Sequence, residues 1–181
     1  NESTKSLLPA MASALRSWQS NPDAMYVVGS VAGPSPYPRM VRTWASVIGR
    51  IAKQQFKQIT GKVPSTLFCV CGGGSNLLSM AYPLLKDKTE IFAVESAGEG
   101  IPTGRHGATI LGGSKMGILL GFKSKVVMKS AQIAESLTEA SGLDFAAVGP
   151  EVAYLHDIGR IKFRSTTDME AKKTSLYQLH Q

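Results

Sequence analysis

Leu8, Met11, Ala12, Leu15 and Trp18 recur at three-to-four spacing, which predicts an amphipathic helix from Leu7 to Trp18. Asn21-Pro22-Asp23 ends it. Ala24 to Val28 is a short apolar run suited to a buried strand, and Gly29 to Pro38, rich in proline, reads as an ordered loop. A long helix is predicted from Met40 to about Gln58. Met40, Val41, Trp44, Val47, Ile48, Ile51 and Phe56 form its apolar face, with Arg42, Arg50, Lys53 and Lys57 largely outside it. Thr66 to Cys71 is the next strand, Gly72 to Asn76 a turn, Leu77 to Leu85 a helix, and Glu90 to Glu95 a further strand. From Gly98 to about Gly121 the chain is glycine-rich and irregular. Beyond it the pattern predicts a short strand over Ser124 to Met128, a helical turn or two over Ile133 to Ala140, and a loop over Gly142 to Pro150. A last strand follows at Ile161 to Ser165, and then a helix from Asp168 to Leu179 capped near Thr167.

Near-continuous apolar strands alternating with helices predict an α/β fold built on a parallel sheet. Hydrophobic residues make up 43% and charged residues 18% of the 181, the composition of a chain that buries a core. No apolar run approaches the roughly 18–20 residues that span a bilayer, so no membrane insertion is expected. A basic-then-apolar leader is also absent from the first residues, and Asn1-Glu2-Ser3 is a glycosylation sequon at the terminus. The net charge is +7 and uneven: residues 1–90 carry ten Lys/Arg against four Asp/Glu, residues 91–181 ten against nine. Such a basic half suits a solvated face, or contact with RNA or an acidic partner.

Cys69 and Cys71, two apart on an apolar strand, share a face at a spacing too long for a disulfide. Two buried free thiols fit a reducing intracellular compartment, cytoplasm or organelle. His106, His156 and His180 show no metal-ligand spacing. The sharpest chemical signal is strand, then Gly72-Gly73-Gly74-Ser75-Asn76, then helix. Three glycines let backbone N–H groups converge on one point, and the following helix adds its free N–H groups, so the turn reads as a phosphate cradle. A flexible strand-to-helix turn is the plainer reading. The dinucleotide pattern fails because Leu77 takes its last glycine position, and the P-loop pattern over Gly107 to Ser114 fails because Gly113 stands where the lysine belongs.

Five segments in order extend this signal. They are Gly29 to Pro38, Val70 to Asn76, Gly104 to Ala108, Gly142 to Phe145 with Val148-Gly149-Pro150, and Ala153-Tyr154-Leu155 with Gly159-Arg160. Together they resemble the middle-to-C-terminal portion of the tryptophan synthase β subunit, a pyridoxal-phosphate enzyme that joins L-serine to indole. The resemblance implies a partial doubly wound parallel sheet with flanking helices, like one lobe of that subunit. Residues 1–38 then supply helix, strand and loop from the N-terminal lobe, and residues 39–181 a portion of the pyridoxal-phosphate-binding lobe. It also implies that Gly72, Gly73, Gly74, Ser75 and Asn76 hold the cofactor phosphate, that Gly29 and Ser30 lie beside the cofactor, and that Asp144 contacts serine. Carbonyls of Cys71, Gly72, Gly107, Leu143, Phe145 and Ala147 correspond to those lining the family's monovalent-cation site; oxygen ligands suit such a hard cation.

Departures from the family are equally specific. The family's Schiff-base lysine and proton-shuttling glutamate fall before Asn1, and the serine facing the pyridine nitrogen falls after Gln181. No lysine here sits in a motif that replaces the missing one, Lys123 being the nearest in register. Leu119 and Leu120 stand where the family has the two aromatics gating its indole tunnel, Glu139 at an apolar position, and Leu8 where a lysine pairs with the α subunit. Arg50, Lys53 and Lys57 decorate a helix that is richer in acids in the family. The expectation is a partial chain, not catalytic by itself, completed by a missing segment or a second chain and by the α subunit if it belongs to an active synthase. The alternative is a non-catalytic relative serving as a structural subunit of a larger assembly, RNA-containing or organellar. Either way the open edges of half a lobe call for a large apolar contact to cover them.

Overall fold

A computed structural model describes residues 7–178. The sequon at Asn1 and the imidazole of His180 lie outside them. The centre is a parallel three-stranded sheet in the order β1-β2-β7, formed by β1 (Thr66–Val70), β2 (Glu90–Ser96) and β7 (Ile161–Thr166). Thr66 aligns with Glu90 and Ile91 with Ile161. Side chains alternate across the sheet, so Cys69, Ile91, Ala93, Ile161 and Phe163 point to one buried face. Helices α4 (Ser75–Ala81) and α5 (Pro150–Asp157) cover that face with Leu77, Leu78, Val152 and Leu155. This is the expected α/β class, a parallel sheet with flanking helices. The opposite face carries Phe68, stacked on Phe92 at 4.9 Å, and Arg164 over the Phe92 ring at 5.4 Å.

A second, smaller core gathers Ala32, Leu119, Phe122, Val126, Phe145 and Ala147. It sits under an antiparallel hairpin of β3 (Lys115–Leu119) and β4 (Phe122–Val126), with Leu8 and Met11 of helix α1 (Leu7–Ser20) packed against it. Gly121, at φ 82°, makes the tight turn that closes the hairpin. A two-residue ladder, β5 (Met128–Lys129) with β6 (Gln132–Ile133), follows. Lys125 of β4 clasps α5 through His156 Nδ1 at 2.8 Å and the Asp157 carboxylate. The described residues end in α6 (Asp168–Gln178), which starts with a capping box: Glu170 N–H donates to Thr167 Oγ1, and Thr167 N–H donates to Glu170 Oε2 at 2.8 Å.

Several expectations are corrected. Ala24 to Val28 alternates in exposure, Met25 and Val27 outward, but forms and pairs with no strand among the described residues. The long helix is two, α2 (Tyr37–Ala45) and α3 (Val47–Thr60), parted at the fully buried Ser46. The Ser46 hydroxyl donates to Thr43 O at 2.8 Å and its ψ flattens to −9°, the local competition with helix bonding that serine brings. Of the apolar face predicted on that helix only Val41 is buried; Met40, Trp44, Val47, Ile48, Ile51 and Phe56 are exposed. The sheet-side contact is instead made through Gly49, where a Cβ would lie 2.5 Å from Met80 O.

The helix expected from Leu77 to Leu85 begins at Ser75 and gives way to a 3-10 turn at Tyr82–Leu84, as Pro83 dictates. Part of the stretch expected to be irregular up to Gly121 is strand β3, and the strand expected over Ser124 to Met128 is shifted to Phe122–Val126. Ile133 to Ala140 holds the end of the β5–β6 ladder and coil, with no helical turn. Pro150 is the first residue of α5, a helix the periodicity missed although Pro at the first position and Glu151 in the first turn mark its start.

Candidate functional site

The glycine turn lies at the C-terminal end of β1, the usual ligand side of a parallel α/β sheet. Cys71 N–H donates to Val94 O at 2.8 Å, which carries strand pairing to the edge of the turn, and Leu78 N–H donates to Gly74 O at 2.9 Å as α4 starts. Between them, no described backbone group engages the N–H groups of Gly73, Gly74, Ser75 and Asn76. Every glycine of the turn faces a close neighbour. A Cβ on Gly72 would meet Leu143 Cα at 2.9 Å, one on Gly73 would meet the Ala32 Cβ at 3.3 Å, and one on Gly74 would meet Val152 Cγ2 at 2.4 Å. Gly74 also sits at φ 103°, in the left-handed region that side chains avoid. The three glycines are therefore required by the packing as well as by the turn.

A cavity of about 470 Å³ opens on this turn. Gly29, Ser30 and Gly72 to Asn76 line its polar end; Leu7, Met11 and Tyr26 line the apolar one. Ser75 Oγ accepts the Val31 N–H at 3.0 Å and Ser30 Oγ accepts the Ala32 N–H at 3.0 Å, which leaves each hydroxyl proton available to a ligand. Asn76 Nδ2 donates to Val70 O at 3.3 Å, so its side chain braces the strand end. No lysine is among the lining residues.

Beneath the cradle the backbones of Gly72, Gly107 and Leu143 converge: a Cβ on Gly107 would lie 3.5 Å from Leu143 O, and one on Gly72 3.1 Å from the same oxygen. The Cys71 thiol donates to Gly72 O at 3.5 Å, and Phe145 N–H donates to Leu143 O at 3.0 Å. Phe145 also comes within 3.6 Å of the Gly73 Cβ position. Ala147, two residues after Phe145, bridges to Val126 of β4. Asp144 Oδ1 and Ser136 Oγ are buried without a hydrogen-bond partner, and the Ser136 hydroxyl lies 2.8 Å from the Cβ position of Gly107. No cluster of three His, Cys, Asp or Glu side chains capable of holding a metal occurs among the described residues.

Cys69 and Cys71 are free and buried. Burial pushes the Cys69 thiol up to about 11 and Cys71 higher still, with the Glu95 charge adding to the effect, so neither is a ready nucleophile. Glu95 itself escaped the sequence reading. It ends β2 at 1% exposure and accepts the N–H groups of Ile110 (2.7 Å) and Leu111 (2.9 Å). Burial raises its pKa to about 7 against the lowering effect of those N–H donors. An acid on the inward alternation of Ile91, Ala93 and Glu95 was the available signal. The departing residues lie apart from the cradle: Glu139 pairs with Lys172, Lys123 is exposed near Pro36, and Leu119 is buried in the second core. Leu120, held at φ 47°, lines a narrow apolar cleft with Met11 and Tyr26.

No family model matches the chain. The tryptophan synthase beta chain of Methylobacterium nodulans is 44% identical over 170 residues, 92% of this chain and 42% of the relative. That of Methylobacterium radiotolerans is 45% identical over 170 residues, 92% of this chain and 41% of the relative. The Shouchella clausii protein of the same name is 45% identical over 170 residues, 93% and 42%. The chain thus spans less than half the length of these relatives.

Proposed function

Because the chain is homologous to a portion of the tryptophan synthase beta chain, we propose that it is the phosphate-holding part of a pyridoxal-phosphate-dependent synthase joining L-serine to indole. The observation that carries this reading is the glycine turn, with unengaged N–H groups at the mouth of a cavity large enough for such a cofactor. Pyridoxal phosphate, when bound, supplies the electron sink for chemistry at the amino acid's α and β carbons.

This chain's residues do the holding. Gly72 to Asn76 direct N–H groups at the phosphate, the Ser75 hydroxyl adds a donor, and Gly29 and Ser30 close the side of the cavity. Asp144, its Oδ1 unpartnered, serves the amino-acid substrate. The carbonyls of Cys71, Gly72, Gly107, Leu143, Phe145 and Ala147 hold a monovalent cation that braces the floor of the cradle. Residues 1–38 belong to one lobe and 39–181 to the cofactor lobe. With no lysine lining the cavity, the amine that captures the cofactor comes from another segment or another chain, and these residues are not catalytic by themselves. An α subunit delivers indole if the assembled enzyme is active.

A second reading, a non-catalytic structural subunit, draws support from the net charge of +7 and from Leu119 and Leu120 in place of tunnel aromatics. RNA is a partner this reading allows. Thermal unfolding with added pyridoxal phosphate, pyridoxal or neither separates the two. The synthase reading expects stabilisation by the phosphate form alone, without a Schiff-base absorbance band. No stabilisation by either compound leaves the structural reading.

A further inference from the structure

The outward face of α3 carries large exposed aliphatic side chains among Gln54, Gln55 and Gln58, where a lone surface helix is normally polar throughout. At 3.6 residues per turn, Gly49, Lys53 and Phe56 fall on the side turned to α4 and the Pro83 turn, and Lys53 bonds Pro83 O at 3.1 Å and Asp87 at 2.5 Å. Val47, Ile48, Ile51 and Ile59 fall on the opposite side, and Trp44 of α2 continues their line one turn earlier. They are 44%, 54%, 49%, 84% and 65% exposed respectively. The stripe follows a helix of about 21 Å, long enough to seat a partner helix of similar length.

Charge identifies the kind of partner. Arg50 and Lys57 border the stripe along one shoulder, and neither has an acidic partner among the described residues. From residue 24 to residue 86 the sequence contains no Asp or Glu at all, while Arg39, Arg42, Arg50, Lys53, Lys57, Lys62 and Lys86 fall within it. Two copies of this face brought together place cation on cation with no acid to relieve them, so the face is not self-complementary. A bilayer meets both shoulders of a stripe at once, whereas here the cations lie along one shoulder only. Nucleic acid would use the cations and leave the aliphatic side chains without a role.

We propose that the α2–α3 face is the docking surface for an acidic amphipathic helix of a different polypeptide, whose apolar side covers Trp44, Val47, Ile48, Ile51 and Ile59 and whose carboxylates meet Arg50 and Lys57. This does not depend on the cradle holding a cofactor.

The probe is a fluorescently labelled amphipathic peptide of leucine and glutamate, roughly 18 residues long, beside a leucine–lysine isomer of the same pattern. Fluorescence anisotropy against the protein should show the acidic peptide binding at least about tenfold tighter than the basic one. Ile51→Glu, a change at an exposed position that leaves the circular dichroism unchanged, should remove that binding, and the double variant R50E/K57E should reverse the charge preference. Equal affinity for both peptides, undiminished binding to Ile51→Glu, or a dimer in sedimentation that Ile51→Glu dissolves would each overturn the proposal. So would binding to vesicles of anionic phospholipid or to single-stranded RNA in place of the acidic peptide.

Discussion

At the scale of single residues the structure turns on a few groups forced into unusual surroundings. Glu95 is buried at the end of β2 and is held by two backbone N–H groups, yet desolvation dominates and lifts its pKa from 4.5 to about 7. The folded protein therefore keeps this proton to higher pH than the unfolded chain does. Its contribution to stability is full below pH 4.5, falls as pH rises towards about 7, and is lost above that, about 3 kcal/mol across the window. Urea unfolding at pH about 5 and about 7.5 should show this decline in the wild type and a flatter response in Glu95→Gln; identical slopes would remove Glu95 as the cause. Gly74 is constrained twice, by φ 103° and by Val152 Cγ2 at 2.4 Å from its Cβ position. Gly74→Ala should cost at least ~2 kcal/mol in the same experiment. The cradle glycines were legible in the sequence, because only backbone can converge so tightly. Glu95 was marked only by its place on the inward alternation of Ile91 and Ala93, a signal easily passed over because acids at strand ends usually face solvent.

Among the elements, periodicity located most helices and strands but not what each one faces. The run Met40 to Phe56 has helical spacing, and an amphipathic helix beside a sheet normally turns its apolar side inward. Instead the close approach is made by Gly49 against the backbone of Ser79 and Met80, and Trp44, Val47, Ile48 and Ile51 stay exposed. A pattern of hydrophobicity records that a face is covered in the working assembly, not that this chain covers it. Gly49→Ala should therefore destabilise by about 1–3 kcal/mol, although the same change on an exposed helix stabilises, and thermal unfolding decides the sign. Ala24 to Val28 tells the same story for a strand: its residues alternate correctly, and no partner strand occurs among the described residues. Helix α5 was missed for the opposite reason, its eight residues being too short to show a period, though Gly149-Pro150-Glu151 announced it.

The whole molecule is a half-covered sheet. Parallel sheets are normally buried on both faces, yet here Phe68 and Val70 remain 65% and 47% exposed on the side away from α4 and α5. The chain spans about 42% of the length of its relatives, and an open face of this kind is what a portion of a larger fold presents. Fluorescence of a hydrophobic dye should be enhanced by the native chain and diminished in Phe68→Asp; no enhancement by the native chain would show that the face is covered. No helix among the described residues is long and apolar enough to cross a membrane. Whether the glycine turn holds a phosphate is decided by phosphorus NMR of pyridoxal phosphate. The phosphate resonance should shift or broaden saturably with the wild-type chain and stay at its free position with Gly73→Val. A resonance left at its free position by the wild type, or moved equally by both proteins, would contradict phosphate holding by the turn.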